Sequence, residues 1–344
     1  MNNTSGNPAR LYLPLLNHAQ AEVRQQACAI LLGAHGQGAL IALRGLLEDA
    51  DPAVRQQARQ GLHVIAAISG TEIAEQQFQG IYIECLGQLR VWIGGRQILP
   101  RDWMQPDSGR AGWRKVQGTF AYLVHRGRYG TCRTALGQAV WGGQVSATSL
   151  ARTLTALRQT LAGSDDGPLI ERALTISGEQ LSFAADAYTT DARFFEQVFE
   201  TACYTESEQG LDAAVPLYAQ AMQLYAGTYM IDIAGSDEWA QRRRDHLSGN
   251  LIIAAERLAE YAFAQQRYHR CVEVCRRALE IDDTAEELSN WLLRAYDRLN
   301  MRHEIAQAYH SYLRAAIVTP HGDEGRHNLV VRTYQELIGA RDSR

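Results

Sequence analysis

The stretch that decides the fold is residues 146–161, SATSLARTLTALRQTL, which has the spacing of an α-helix with two different faces. Leucines recur every three or four residues and so share one side of a helix. They are Leu150, Leu154, Leu157 and Leu161. Polar side chains recur at the same spacing on the opposite side. They are Thr148, Arg152, Thr155 and Gln159. The pattern predicts a helix that packs on a core and shows a polar stripe outward.

This polar stripe has two interpretations. The common one is an amphipathic surface helix with a solvated outer face. The other is a helix that enters the major groove of DNA, where Arg and Gln bond base edges and Thr contacts a thymine methyl or a phosphate. Ser146 or Thr148 can cap the helix start, because either hydroxyl accepts from an unpaired backbone N–H group. The neighbouring segments must decide between the two interpretations.

Strands and two further helices are predicted before this helix. Residues 81–93 and 96–99 have the pattern of short strands. Residues 113–125 predict a first helix, and residues 132–141 predict a second helix that Thr131 caps. The two-faced helix is therefore the third helix of a compact group.

Glycines mark two predicted hairpin turns, because glycine accepts the positive φ that tight turns need. Gly94-Gly95 joins two strands before the helices. Gly178 lies near the tip of a hairpin in residues 169–172 and 174–183, after the third helix. A sheet, three helices and a hairpin follow one another in a winged helix, whose third helix contacts DNA and whose hairpin is the wing.

Charge is distributed unevenly along the chain. Residues 79–186 hold 12 basic against 8 acidic residues, an excess of +4, whereas residues 1–78 (5 against 6) and 187–344 (17 against 24) are acidic. A local positive excess favours a polyanionic partner, because phosphate neutralisation supplies much of the affinity for nucleic acid. The candidate phosphate-contacting residues are Arg114, Lys115, Arg126 and Arg128.

An internal repeat precedes the basic segment. The sequence EVRQQAC at 22–28 returns as AVRQQAR at 53–59, so that Val23 and Val54 lie 31 residues apart. Self-similarity at this period predicts stacked helical hairpins of the kind found in HEAT repeats. These helices are expected to pack on the next domain or to end a longer array.

The last part of the chain is predicted to be helical throughout. Two segments align at an offset of 35 residues, with Tyr261 matching Tyr296 and Arg267 matching Arg302. That offset is close to the tetratricopeptide period, and stacked units of this kind leave a groove that binds proteins or peptides. A short linker is expected at residues 184–191.

Several classes of function lack support in the sequence. There is no apolar run long enough to span a membrane, no secretory signal, no phosphate-binding Gly-x-x-x-x-Gly-Lys loop and no motif of a hydrolase or metalloprotease. The 6 cysteines are scattered, which favours a reducing cytoplasm. We therefore predict a cytoplasmic protein that is not an enzyme and has no catalytic residues, metal site or cofactor.

Residues 79–340 resemble the bacterial transcriptional activation family, typified by the Streptomyces antibiotic regulatory proteins. The matching stretches are LGQLRVWIGGRQI (86–98), SLARTLTALRQTL (149–161), LYAQAMQLYAGTY (217–229) and RYHRCVEVCRRALEIDD (267–283). The resemblance implies a response-regulator-type winged helix joined to a tetratricopeptide-like activation domain. It also implies binding to repeated operator sites as a dimer and recruitment of RNA polymerase.

We therefore expect a mainly α-helical chain in three parts: HEAT-like helical hairpins in residues 1–78, a winged-helix (α+β) DNA-binding domain in 79–186 and a tetratricopeptide-like helical domain in 187–344. The predicted function is transcriptional activation. The expected partners are double-stranded DNA, RNA polymerase or another protein, and a second copy of the chain, with no membrane partner.

Two features favour other functions. Ala151 and Ala156 stand where the family commonly has basic residues, and Glu179 and Gln180 lie near the tip of the predicted wing. A protein-interaction adaptor that keeps the winged-helix fold without binding DNA is the first alternative. The second is a regulatory fragment that works with a separate signalling ATPase.

Overall fold

The structure is a computed structural model, and the fold is mainly α-helical. The residues that it describes are 20–21, 23–24, 27, 46, 49–55, 58, 81–93, 96–105, 112–162, 173–184, 187–317 and 328–342. Two compact units are present, each built from two stretches of chain. The first comprises Met1–Phe194 and Gln223–Asp245, and the second comprises Phe195–Met222 and His246–Arg344.

The described strands and helices are numbered in chain order. The strands are β1 (Ile81–Glu84), β2 (Arg90–Ile93), β3 (Arg96–Ile98), β4 (Thr131–Cys132), β5 (Leu174–Ser177), β6 (Gln180–Phe183) and β7 (Tyr188–Thr190). The helices are α1 (Gly112–Arg126), α2 (Arg133–Trp141), α3 (Ala147–Ala162), α4 (Asp191–Gln209), α5 (Leu211–Leu224), α6 (Asp237–Ala264), α7 (Tyr268–Leu279), α8 (Glu286–Arg298), α9 (Arg302–Ala315) and α10 (Leu329–Asp342).

A four-stranded sheet has the order β3-β2-β1-β7, in which β1, β2 and β3 precede helices α1 to α3 in the chain and β7 follows them. The pairs β1–β2 and β2–β3 are antiparallel, whereas β7 runs parallel to β1, with Ile81 opposite Tyr188. The segment predicted as a linker, residues 184–191, therefore contains a strand. Its backbone completes the sheet edge beside β1, a pairing that local sequence does not reveal. The predicted turn at Gly94-Gly95 lies outside the described residues.

Helices α2 and α3 both pack on α1. Four apolar residues of α1 are buried, namely Val116, Phe120, Leu123 and Val124. The ring of Phe120 meets that of Phe183 in β6 edge-on, with centroids 5.6 Å apart. This contact attaches the second sheet to α1, because aromatic pairs in this geometry stabilise by more than the area they bury.

The second sheet has the order β4-β6-β5, and its β5–β6 hairpin turns at Gly178, where φ is +60°. The helix that follows β4 begins at Arg133, and its N-cap is Cys132, whose Sγ accepts from the backbone N–H of Ala135 at 3.4 Å. The prediction that Thr131 caps this helix is thus wrong, because Thr131 pairs with Leu181 in the sheet. The predicted strand 169–172 lies outside the described residues.

A buried carboxylate fixes the chain where β1 ends. Asp191, the first residue of α4, accepts from the backbone N–H groups of Cys85 at 2.8 Å and Leu86 at 3.0 Å. The Cys85 thiol also donates to it at 3.0 Å. Burial raises the pKa of Asp191 to about 6, although the bonds from Cys85 and Leu86 favour its charged form.

The stretch Gln223–Asp245 completes the first unit. Met230 donates from its backbone N–H to the carbonyl of Cys85 at 2.7 Å. Arg244 donates to the carbonyls of Tyr229 at 2.8 Å and Met230 at 3.2 Å, and its guanidinium is buried. Because a buried guanidinium requires hydrogen-bond partners, these contacts hold the stretch in one conformation.

The helices of the second unit share a repeated turn. The backbone N–H of Gln266 donates to the Phe263 carbonyl after α6, and that of Asn300 donates to the Asp297 carbonyl after α8. Both turn residues have φ of 59°. The structural repeat is therefore 34 residues, one fewer than the offset of 35 predicted from the sequence.

Part of the N-terminal repeat is described. The guanidinium of Arg24 donates to both carboxylate oxygens of Asp49 at 2.7 Å, and Arg55 donates to the Asp49 carbonyl. Arg24 and Arg55 occupy equivalent positions in the two copies of the repeat, and both thus bind the turn at Asp49. The leucine-rich stretches that precede the two copies, residues 11–16 and 40–47, lie outside the described residues except for Leu46.

Among the described helices, none combines the length and apolar character needed to cross a membrane. Within the same part of the chain, no group of three or more His, Cys, Asp or Glu is arranged to hold a metal ion.

Candidate nucleic-acid interface

Helices α2 and α3 are joined by a tight turn. Gly142 ends α2 in the left-handed conformation, with φ of 73°, and donates to the Gln138 carbonyl. A Cβ atom at Gly137 would lie 2.9 Å from the carbonyl oxygen of Gly143, so the turn packs against α2 too closely for a side chain there. Ser146 caps α3, since its Oγ accepts from the Ser149 N–H at 3.1 Å.

The inner face of α3 is the one predicted from the leucine spacing. Leu150, Leu154, Leu157 and Leu161 are each at most 5% exposed. Two threonines, Thr153 and Thr160, are also buried on this side, and each hydroxyl donates to a carbonyl of its own helix. The hydroxyl of Thr160 further accepts from the Met104 N–H at 2.9 Å, which fixes the loop before α1. The burial sets the rotation of α3.

The outer face of α3 carries the predicted polar stripe. All four of its members are exposed: Thr148, Arg152, Thr155 and Gln159. Thr155 donates to the Ala151 carbonyl at 3.0 Å, so its hydroxyl proton stays on the helix and its methyl and lone pairs face outward. The stripe offers the Arg152 guanidinium as a cation. The side chains of Thr148 and Gln159 are two further groups able to bond base edges or phosphates.

Arg158 is an exposed member of this face that sequence reasoning missed. It lies three residues after Thr155, the same interval that separates Arg152 from Thr155, so it widens the stripe on one flank. That interval was the signal available in the sequence. With Arg158 the exposed face of α3 holds two guanidinium groups.

The predicted phosphate ligands of α1 differ in their surroundings. Arg114 is exposed. Lys115 is half-buried, its Nζ donates to the carbonyl of Val140, and it lies 5.8 Å from the ring centroid of Trp141. Burial lowers the pKa of its ammonium group. Lys115 therefore joins α1 to the end of α2, whereas its neighbour Arg114 presents its charge outward.

The other two predicted phosphate ligands lie near the end of α1. Arg126 is exposed, and its Nε donates to the Gly130 carbonyl at 3.0 Å, which leaves its two terminal nitrogens for other partners. The side chain of Arg128 lies outside the described residues. Tyr129 beside them is 75% exposed.

The hairpin turn contacts the start of α2. The backbone N–H of Arg133 donates to the Glu179 carbonyl at 3.1 Å, and its Nη2 donates to the Gly178 carbonyl at 3.2 Å. A carboxylate oxygen of Glu179 lies 3.7 Å from Nε of Arg133. The tip of the β5–β6 hairpin is therefore held against the first turn of α2, the helix that precedes α3.

Comparison with known proteins gives two findings. Residues 190–319 match the family model of the bacterial transcriptional activator domain. A solved structure of EmbR from Mycobacterium tuberculosis, in complex with a low-affinity phosphopeptide, is similar to this chain with a TM-score of 0.55 and 16% sequence identity. The similarity covers 76% of this chain and 69% of that chain, and it concerns the fold. No curated protein matches the sequence.

Proposed function

We propose that the protein is a transcription regulator that binds double-stranded DNA through the outer face of α3. The observation that carries the proposal is the placement of this helix. Its leucine face is buried, its polar face is exposed, and it follows α2 after a tight turn, with a β-hairpin after it. Helix-turn-helix proteins insert the second helix of such a pair into the major groove. The family match of residues 190–319 supports a role in transcription.

In this proposal the exposed residues have separate roles. Arg152 and Gln159 bond base edges, because guanidinium and amide groups can make two hydrogen bonds to guanine and adenine, respectively. Thr148 and Thr155 contact thymine methyls or phosphates. Phosphate contacts that are independent of sequence come from Arg114, Arg126, Arg128 and Arg158.

The helices of the second unit are the proposed protein-binding part. Their 34-residue repeat is the period of tetratricopeptide units, which stack into a surface that binds peptides or proteins. We assign to this part the contact with RNA polymerase or another protein, and we propose activation from a homodimer in the cytoplasm. The boundaries of the three proposed domains remain 1–78, 79–186 and 187–344, with the stretch Gln223–Asp245 packed on the winged helix.

One observation favours the adaptor alternative. Ala151 is exposed on the outer face of α3, where a basic residue would strengthen contact with DNA, and Glu179 places a negative charge at the wing. A winged helix with this surface could bind a protein instead.

The test is the binding of the full chain to a pool of random duplex DNA at about 50 mM and about 200 mM salt. A regulator binds at the lower concentration, loses affinity steeply at the higher one and enriches a sequence on repeated selection. Absence of binding at about 50 mM salt, where phosphate attraction is strongest, would leave the adaptor.

A further inference from the structure

The contact between the wing and α2 contains an ion pair at a place where DNA would be expected. Arg133 is the first residue of α2, and its side chain is 38% exposed, whereas that of Glu179 is 73% exposed. In helix-turn-helix proteins the first helix of the pair crosses the DNA backbone, so residues at its end lie near phosphates. The carboxylate of Glu179 therefore stands beside a cation that is suited to a phosphate.

The guanidinium of Arg133 has unused capacity. A guanidinium carries five N–H donors in a planar fork that matches phosphate geometry. Within the described part of the chain, Nη2 bonds the Gly178 carbonyl, while Nε is buried and has no hydrogen-bond partner. At 3.7 Å the Glu179 oxygen attracts this nitrogen without forming a hydrogen bond. An ion pair of this exposure contributes little to folding, so removing it should leave the structure intact.

We propose that Glu179 is an affinity-determining residue of the DNA interface, whose carboxylate competes with a DNA phosphate for Arg133. This inference rests on the proposed DNA-binding function. The carboxylate acts in two ways: it neutralises the guanidinium, and it repels the incoming phosphate. Both effects are electrostatic, and both weaken binding to every DNA sequence, because a phosphate contact carries no base information.

The experiment compares the full chain with E179Q, which keeps the shape of the side chain and removes its charge. The control is E238Q, which removes the same charge from an exposed glutamate of α6. We expect E179Q to bind duplex DNA about three- to tenfold more tightly at low salt. The log–log salt slope should steepen by up to about 0.9, as for one additional phosphate contact. The E238Q variant should bind within about twofold of the parent, since its charge is screened.

A double-mutant cycle locates the effect at Arg133. In an R133Q background, the change E179Q should improve binding much less, because the cation that competes for phosphate is gone. Thermal melts of all variants establish that each one folds. A parent that fails to bind DNA while E179Q binds it would also support the proposal.

Other outcomes overturn the proposal. If the parent binds DNA and E179Q gains no more than E238Q does, Glu179 does not determine affinity, although the proposed function stands. If E179Q increases DNA affinity equally with and without Arg133, Glu179 does not compete with phosphate for that guanidinium. If no variant binds duplex DNA at low salt, the proposed function fails and this inference fails with it.

Discussion

The indole ring of Trp239 meets the ring of Tyr122 edge-on, with the two centroids 5.3 Å apart. Tyr122 belongs to α1, and Trp239 lies in the first turn of α6. His125 packs beside them, 4.9 Å from Trp239, and burial lowers its pKa to about 4, so it is neutral at physiological pH. A stretch from the C-terminal half of the chain is thus a structural part of the unit that carries the proposed DNA-binding helix.

Replacing Trp239 with alanine should destabilise the first unit. The half-buried ring contacts Tyr122 and His125, and its loss should lower the free energy of unfolding by about 2 kcal/mol. Calorimetry of the full chain would show the change as a lower melting temperature. The control is Glu238→Ala at the exposed neighbouring position, expected to change stability by less than about 0.5 kcal/mol. Equal melting of the two variants would contradict this role of the aromatic cluster.

Asp191 should make stability depend on pH. Its pKa is raised from 3.8 to about 6, chiefly by burial, so the folded chain holds this proton more tightly than the unfolded chain does. The resulting stabilisation is complete below about pH 4 and is lost as pH rises through about 6, with a size of about 1–3 kcal/mol. Urea denaturation between about pH 4 and pH 7 should show this decline in the parent.

The variant D191N tests the assignment, because asparagine does not titrate. It should lack this part of the pH dependence, whereas E238Q should keep it. The same pH profile in D191N and the parent would mean that another group is responsible.

Lys115 and Arg114 should behave differently although they are adjacent. Lys115→Ala removes the hydrogen bond to the Val140 carbonyl, which should cost about 1 kcal/mol of stability and leave the salt slope of DNA binding unchanged. Arg114→Ala should leave stability within about 0.5 kcal/mol and flatten the salt slope by up to about 0.9. Melting curves and binding at several salt concentrations separate the two effects. A flatter slope for Lys115→Ala would restore its role as a phosphate ligand.

Arg152 and Arg158 form a matched pair on α3. If Arg152 bonds a base, Arg152→Ala should weaken binding to the selected site by about 1–3 kcal/mol and relax selectivity at one position. Arg158→Ala should weaken binding to all sequences about equally, as expected for a phosphate contact. Selection of random duplexes by each variant measures both effects. Unchanged selectivity in Arg152→Ala would show that the helix does not place this residue in the major groove.

Much of the region from α1 to β6 could be predicted from the sequence because its signals are local. The leucine spacing predicts which side of α3 is buried, since a helix turns by a constant angle per residue. The leucines are Leu150, Leu154, Leu157 and Leu161, and all four are buried. The exposed stripe follows from the same geometry. Gly142 and Gly178 mark turns for an equally local reason, because positive φ is accessible to glycine.

The sequence by itself therefore determined helices α1 to α3, the buried leucine face of α3 and its exposed polar stripe. Tertiary structure alone decided which polar and charged side chains remain available to bind a partner. Lys115 has the cationic side chain of a phosphate ligand, but its ammonium group donates to a carbonyl at the end of α2. Glu179 and Arg133 become neighbours only when the hairpin folds back on α2.

The pairing of β7 with β1 and the packing of Trp239 on Tyr122 likewise join residues that are far apart in the chain. Local propensity determines which secondary structure a segment prefers. The partner of a strand edge or of an aromatic ring depends instead on which residues the complete fold places beside it.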